Sequence, residues 1–499
     1  RQMCIRDRAG GIAQSRQIEH GTPRVREFDP ILFATHCMGQ IINCMADNKM
    51  WTPTLADDGQ PRYLALVDAI ARAIESGELK VGERLPPQRR LAWNLGLNPS
   101  TTQQAYREAA ARHLVSGEVG RGTYVLAGSK EATLFRLKQR DQGARIDLST
   151  NVPVVDDTNR DLEHSLRERL QDPAHVLEHY LGAEQLLQGR AHGAHWLSRR
   201  GLQLTAAQVL LCGGAQQGLF SVLLSLCQPG EAVMVEALTA PGIKAACRQL
   251  RLPLHGIALD HEGILPDDLD RVARACGARV LVLTPALHNP TGACMGERRR
   301  REIAAVVERL DLLVVEDDVY GALGDQPPLL PLLGHRGLLV SSLSKTVCAG
   351  LRLGWIAGEA GLLSRIDPYA QATHWPIAPL ILDIACRWID DGTAARRLAW
   401  QREEVTQRWR LASKLLGPAL AHQDRPSPHI WINGPRPGDE LAAACRDKGV
   451  EVVPAQVFAV KQGQLPAIRV SLTAARSRAE LKQALERVAT VLDELSTED

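Results

Sequence analysis

Nowhere does the chain hold the roughly 20 consecutive apolar residues that a membrane-spanning helix requires. A helical membrane protein is thereby excluded, and a soluble protein is expected. The 11 cysteines are scattered without the short paired spacings of zinc sites or disulfide frameworks, which fits a reducing cytoplasm. A surplus of one charge is also missing. The formal net charge is +2, so the chain has no uniformly basic coat, although one domain can still carry a basic face. Lysine is scarce, with ten among the 59 basic residues, so a lysine in an apolar setting needs a reason.

What is present is ordinary for a globular protein, with 45% hydrophobic and 23% charged residues. At 499 residues the chain exceeds what one core serves, and two unequal domains are expected. The first 49 residues begin without methionine and show neither a sustained 3.6-residue period nor a signal-peptide pattern. Their opening, RQMCIRDR, resembles translated sequencing-adapter read-through. Residues 1–49 are read as a non-native or disordered extension, with Met50 a plausible start.

From Tyr63 the residues Leu66, Val67, Ile70, Ala71 and Ile74 recur at helical spacing and stop at Gly77, which predicts a first amphipathic helix. A short helix over 89–95 ends at Gly96. A third starts where Asn98 can cap and Pro99 can take the first helical position. It runs through Tyr106 toward Leu114, and residues 119–125 read as a turn between strands, a wing. This order, in GELKVGERLPPQRRLAWNLGLNPSTTQQAY and GRGTYV, resembles the winged helix-turn-helix of the GntR family over 61–127. The resemblance implies that Arg89, Ser100, Thr101, Gln103, Tyr106, Arg121 and Gly122 contact the phosphates or base edges of double-stranded DNA. Pro99 and Gln103 stand where many members carry arginine, which removes two charges that would grip the backbone. Gln103 and Gln104 can instead pair with adenine. Nine Lys and Arg face six Asp and Glu between Pro61 and Leu126, so pattern more than charge supports DNA binding.

Residues 128–146 are polar and charged, and are read as a linker. Over 147–499, apolar runs at 208–212, 232–236, 279–284, 312–316, 338–342 and 354–357 alternate with helical patterns, the α/β signature of a mainly parallel sheet. Ligands of such sheets gather beyond the strand C-termini, and GGAQQG, HNPTG, DDVY and SLSK all stand there. GGAQQG opens a helix whose free N–H groups and positive end can hold a phosphate. Lys345 follows a buried strand in SLSK, and its amine can form a Schiff base and carry a proton. Arg352, a little further on, suits the same phosphate. Asp317 ends an apolar strand where a carboxylate is costly unless paired, with Asp318 as the competing carboxylate.

Together with the later IRVSL, these motifs resemble the fold-type I pyridoxal-phosphate (PLP) enzymes of the aspartate aminotransferase group. The resemblance implies phosphate contacts from Gly214, Ala215, Gln216, Ser342 and Arg352, and a Schiff base at Lys345. It implies ring contacts from Asn289, Tyr320 and Asp317, the last paired with a protonated pyridine nitrogen. Arg469 matches the arginine that receives a substrate carboxylate. Tyr180 in HYLGAEQ resembles the tyrosine that reaches the neighbouring subunit's phosphate, which implies a homodimer. One departure stands out: Ala240 replaces the aromatic ring that stacks on the cofactor, which argues against efficient transamination, and His288 is the candidate substitute. The run Arg298 to Arg301 is read as the solvated face of a helix extending through Leu310.

A GntR-like winged helix joined to an aminotransferase-like domain resembles the MocR family of bacterial transcriptional regulators. The resemblance implies a dimer that senses PLP, or its adduct with a small amine or amino acid effector, and binds spaced DNA half-sites. The rivals are a working aminotransferase with a vestigial DNA module and a DNA-binding protein whose large domain only dimerises.

Overall fold

Apolar residues at helical spacing build the smaller of two units, which ends at Val125. Its elements are α1 (Arg62–Glu75), α2 (Gln88–Leu95), α3 (Pro99–Ala111), β1 (Val115–Glu118) and β2 (Gly122–Val125), the two strands pairing antiparallel. Leu66, Val67 and Ile70 of α1, Leu91 of α2, and Ala105 and Ala109 of α3 share one core. Trp51 and Leu55, ahead of the boundary expected at residue 61, also pack on it. Gly96 ends α2 at φ +63°, a conformation that costs glycine little, and Asn98 caps α3 by accepting the Ser100 N–H at 3.0 Å. This computed structural model describes residues 51–55, 61–75, 78–80, 82–111, 114–118, 122–125, 145–171, 179–366, 377–420, 424–461, 463 and 465–497. The expected extension and nearly all of the expected linker lie outside the described residues.

The larger unit is organised by a seven-stranded sheet. Its strands are β3 (Val209–Cys212), β4 (Val233–Glu236), β5 (Leu254–Ile257), β6 (Val280–Leu283), β7 (Leu313–Asp317), β8 (Gly337–Ser342) and β9 (Gly354–Gly358), in the order β3-β9-β8-β7-β6-β4-β5. β9 runs opposite to the other six strands, so its pairings with β3 and β8 are antiparallel and the remaining pairings are parallel. Covered on both faces, such strands read as near-continuous apolar runs, and six of the seven were legible for that reason. The missed strand is β5, Leu-His-Gly-Ile at the sheet edge, where most residues are only half-buried and no apolar run is required.

Helices α4 (Ala215–Leu226) and α5 (Glu297–Arg309) flank this sheet. A smaller sheet of β10 (His429–Asn433), β11 (Val453–Pro454) and β12 (Ala467–Ser471), in the order β10-β12-β11, packs against α6 (Arg478–Thr497). The arginine run of α5 corrects an expectation. Arg298 and Arg301 face solvent, but the 3.6-residue period turns Arg299 and Arg300 inward with Ile303 and Val307. Arg299 pairs with Asp260 at 2.8 Å, and Arg300 donates to the Pro328 carbonyl. Among the described residues no helix is long and apolar enough to cross a membrane, and the cysteines are free.

One ion pair ties the end of β7 to the turn that follows the helix Ala183–Ser198. Arg200 grips Asp318 with two bonds, of 2.8 and 3.1 Å, and both residues are buried. Gly321 leaves room for it, since a Cβ there would lie 1.9 Å from Asp318 Oδ1. Removing one partner of such a pair strands a buried charge, at a cost of about 3–5 kcal/mol. Arg200→Ala is therefore expected to destabilise the larger unit by about that amount in denaturant unfolding. A loss below about 1 kcal/mol would contradict this assignment.

Candidate functional site

The candidate site is built from the C-terminal ends of the parallel strands. Between β3 and α4 stands Gly214 at φ +89°. A Cβ there would lie 2.9 Å from Arg352 Nη2, so the guanidinium sits directly against the start of α4. The first-turn N–H groups of Ala215 and Gln216 have no carbonyl within the helix to receive them, and the positive helix end adds to the attraction for an anion. Ser342 ends β8, and Arg352 donates to Ser344 Oγ at 3.4 Å. Together they form a donor-rich cradle suited to a phosphate. The Gln216 side chain turns elsewhere, donating to the Gly242 carbonyl at 2.8 Å, so only its backbone N–H remains for an anion.

Asp317 ends β7, half-buried, and accepts the Val319 N–H at 3.3 Å. Burial raises its pKa to about 6, with the charge of Lys345 opposing the shift. No ion pair engages it among the described residues. The competing Asp318 is taken up by Arg200, which leaves Asp317 as the carboxylate without an ion pair among the described residues.

Lys345, also half-buried, donates to the backbone carbonyl of Asn151. Burial, then Arg469 and Arg352, lowers its pKa from 10.5 to about 8, with Asp317 opposing, so the neutral amine is far easier to reach than on a free lysine. Arg469 of β12 is buried. It donates to Asn289 Oδ1 at 3.1 Å and to the Ser149 carbonyl, and lies over the Phe458 ring at 5.1 Å. Burial lowers its pKa to about 10. With Oδ1 taken, Asn289 keeps its amide N–H groups for another acceptor. Tyr320 Oη receives the Asn151 amide at 3.1 Å.

The fold brings Gly214, Ser342, Arg352, Asp317, Lys345, Asn289 and Tyr320 together at the ends of the large sheet's strands, and Arg469, in the middle of β12 of the smaller sheet, joins them through Asn289. Tyr180 lies on the surface, 74% exposed. Ala240 starts the helix Pro241–Gln249 and packs on the core beside it. His288 is buried, with Nδ1 2.7 Å from Thr291 Oγ1 and Nε2 3.0 Å from the Leu238 carbonyl, contacts that hold the edge of its ring. Asn151 and His429 were missed because each joins the cluster through the fold and lies in no local motif.

Two buried polar atoms here, Arg469 Nε and Asn151 Oδ1, have no hydrogen-bond partner. Unsatisfied groups in a native interior call for a cause, and a polar ligand supplies one. The residues fit PLP: a phosphate for the cradle, a ring nitrogen for Asp317, a ring oxygen for Asn289 and Tyr320, and an aldehyde for Lys345.

In the smaller unit Arg89, Ser100 and Gln103 are exposed and Thr101 is half-buried, along α2 and the N-terminal half of α3. Gly122 holds φ +125° in the wing, and its missing side chain admits Arg84, whose Nε would meet a Cβ at 2.4 Å. Arg84 is thus an exposed wing cation that the motif reading passed over. Arg121 lies outside the described residues. Tyr106 is a correction: it is a core residue, 3% exposed, whose hydroxyl donates to the Pro86 carbonyl at 2.7 Å. It fixes the turn before α2, out of reach of DNA.

Residues 144–488 match the family model for aminotransferase class I and II, and residues 62–125 that for gntR-family bacterial regulatory proteins. YdeF of Bacillus subtilis, named an uncharacterized HTH-type transcriptional regulator, is 27% identical over 460 residues, spanning 89% of this chain and 97% of its own. The vitamin B6 salvage pathway transcriptional repressor PtsJ of Salmonella typhimurium is 28% identical over 346 residues, 68% of this chain and 77% of its own. Among solved structures, an archaeal alanine:glyoxylate aminotransferase superposes with a TM-score of 0.67 at 22% identity, over 74% of this chain and 96% of that one, a likeness of fold.

The raised pKa of Asp317 gives a test with a definite sign. Below its ordinary value of 3.8 the carboxyl is neutral in both folded and unfolded chains, and it costs nothing. Through the interval up to about 6 the cost of burying its charge appears, and above that it is complete. Asp317→Asn is therefore expected to stabilise the ligand-free protein above that pH by roughly 2–3 kcal/mol, to leave it unchanged in acid, and to weaken PLP binding. Equal unfolding free energies of variant and parent at both ends of the pH range would contradict it.

Proposed function

We propose, from the premise that the chain belongs to the aminotransferase class I and II family and carries a gntR-family module ahead of it, that what occupies the Lys345 site sets its affinity for DNA. The protein is a PLP-binding, DNA-binding transcriptional regulator of the MocR type. The observation that carries this reading is the coexistence, in one chain, of a recognition helix with exposed polar residues and a cluster in which Asp317, Lys345 and Arg469 are buried or half-buried without ion pairs. PtsJ is itself named a transcriptional repressor, which supports the same reading.

In the large unit the cradle of Gly214, Ala215, Gln216, Ser342 and Arg352 holds the phosphate, Asp317 the ring nitrogen, and Asn289 and Tyr320 the ring oxygen. Lys345 Nζ anchors the group and moves a proton. When bound, PLP supplies an aldehyde that captures primary amines and a ring that draws electrons from them. Arg469 suits a carboxylate, so the effector is an amine that also bears a carboxylate, an amino acid. Ala240 leaves the ring without an aromatic neighbour, which favours sensing over turnover.

In the small unit Arg89, Ser100, Thr101, Arg121 and Gly122 position the DNA backbone, with Arg84 against Gly122, and Gln103 reads a base edge. A cytoplasmic homodimer fits this role. Leu162, Leu166 and Leu170 recur every fourth residue on the exposed helix Asp161–Leu170 and offer a face for a second copy, with Tyr180 serving the neighbouring site.

A ligand shifts operator affinity only by its differential affinity for the DNA-bound and free states. The test is a footprint of the full-length protein on the DNA beside its own gene, with and without PLP, at one salt concentration. Two spaced protected half-sites whose occupancy changes with PLP are expected. Equal protection in both forms would contradict the coupling, and no protection alongside sustained amino-group transfer would favour an enzyme. In the same assay Arg89→Ala is expected to weaken every sequence alike, whereas Gln103→Ala costs about 1–3 kcal/mol of discrimination at one base position.

A further inference from the structure

His429 is wholly buried on β10, and its Nε2 lies 2.9 Å from the backbone carbonyl of His288. A carbonyl only accepts, so Nε2 carries the ring hydrogen. The other nitrogen, Nδ1, lies 3.0 Å from the Asn151 side-chain nitrogen. A second proton on Nδ1 would place an imidazolium in a buried position facing Arg469, Lys345 and His288. Burial, with those charges, lowers the His429 pKa to about 3. Nδ1 is therefore a bare acceptor, and Asn151 must turn its NH2 group toward it.

The same nitrogen of Asn151 lies 3.1 Å from Tyr320 Oη. Since the amide donates there, the Tyr320 oxygen accepts, and its own hydrogen must point away from Asn151. The Tyr320 and His429 rings meet edge to face at 5.5 Å, which fixes their relative placement. Asn151 Oδ1 is then left buried with no partner. Rotating the amide does not relieve it, because Oδ1 would then oppose the lone pair of Nδ1. The main-chain carbonyl of Asn151 meanwhile receives Lys345 Nζ, so one residue touches both the lysine and the tyrosine.

We infer that His429 and Asn151 form a tautomer lock, positioning residues that reserve the Tyr320 hydrogen for the ligand and hold Asn151 Oδ1 as an acceptor toward it. The inference rests on the reading above that Tyr320 serves the PLP ring oxygen. With its hydrogen unspent, Tyr320 donates to that oxygen and favours its ionised form. Without the lock the hydroxyl is free to turn toward other acceptors, and the ionised form loses a donor. Lys345, Asp317 and Arg469 face the same group, and their charges are common to every variant compared.

The test is a pH titration of the visible absorbance of the PLP-loaded, full-length protein. Asn151→Ala and His429→Phe, which remove the donor and the acceptor of the lock separately, are each expected to raise the apparent pKa of the bound chromophore by about one unit, a tenfold change. An apparent pKa unchanged in either folded variant, while Tyr320→Phe raises it, would overturn the lock and leave the cofactor site standing. A parent protein with no PLP-dependent visible band would overturn the lock together with the reading on which it rests.

Discussion

Arg200 takes Asp318, and Asp317 is thereby left outside that ion pair. Adjacent residues of a strand point to opposite faces, so the two carboxylates at the end of β7 are separated by geometry before any chemistry is asked of them. One is spent on a buried ion pair that fastens the end of β7 to the turn after the helix Ala183–Ser198. The other keeps a raised pKa and, among the described residues, no ion pair, with the charge of Lys345 only partly offsetting its burial. Across the site the same arrangement recurs: among the described residues Lys345 hydrogen-bonds to a backbone carbonyl, and Arg469 to an amide and a carbonyl instead of a carboxylate. A protein interior tolerates such groups when a bound molecule supplies the missing partners. The larger unit is therefore a framework whose least favourable features converge on one place.

Much of this was legible in the sequence for physical reasons. Strands covered on both faces must be apolar throughout, which exposed β3, β4 and β6 to β9. Polar motifs at their C-terminal ends then located the site. Turn chemistry at Gly96 and Asn98 exposed the helix-turn-helix. What stayed hidden depended on tertiary neighbours. Asn151 and His429 carry no local signature, and their roles follow from a hydrogen-bond chain that only the fold assembles. Tyr106 sits at a position that the motif assigns to DNA, yet its hydroxyl is spent on Pro86. The arginine run of α5 looked uniformly solvated because four like charges conceal the helical period that buries two of them.

The two units pose complementary problems of recognition. The smaller unit offers exposed cations and amides, groups that act well on DNA in water. The candidate cofactor site combines the exposed Arg352 with the half-buried Asp317 and Lys345 and the buried Arg469, charges that act more strongly where water is partly excluded. A chain holding both can make one respond to the other, provided that the ligand binds unequally to the two DNA-binding states. The absence of an aromatic residue at Ala240, the retained Lys345 and the amino-acid-sized demand of Arg469 all accord with a domain kept for sensing an amine.

The central claim is that Lys345 is the anchoring amine. It is tested most directly by adding PLP to the full-length protein, reducing with borohydride, and mapping the added mass by peptide mass spectrometry. The account predicts the adduct on the peptide containing Lys345, among the ten lysines of the chain, and its loss in Lys345→Ala. An adduct spread over exposed lysines such as Lys448 and Lys482, with Lys345 unmodified, would contradict it.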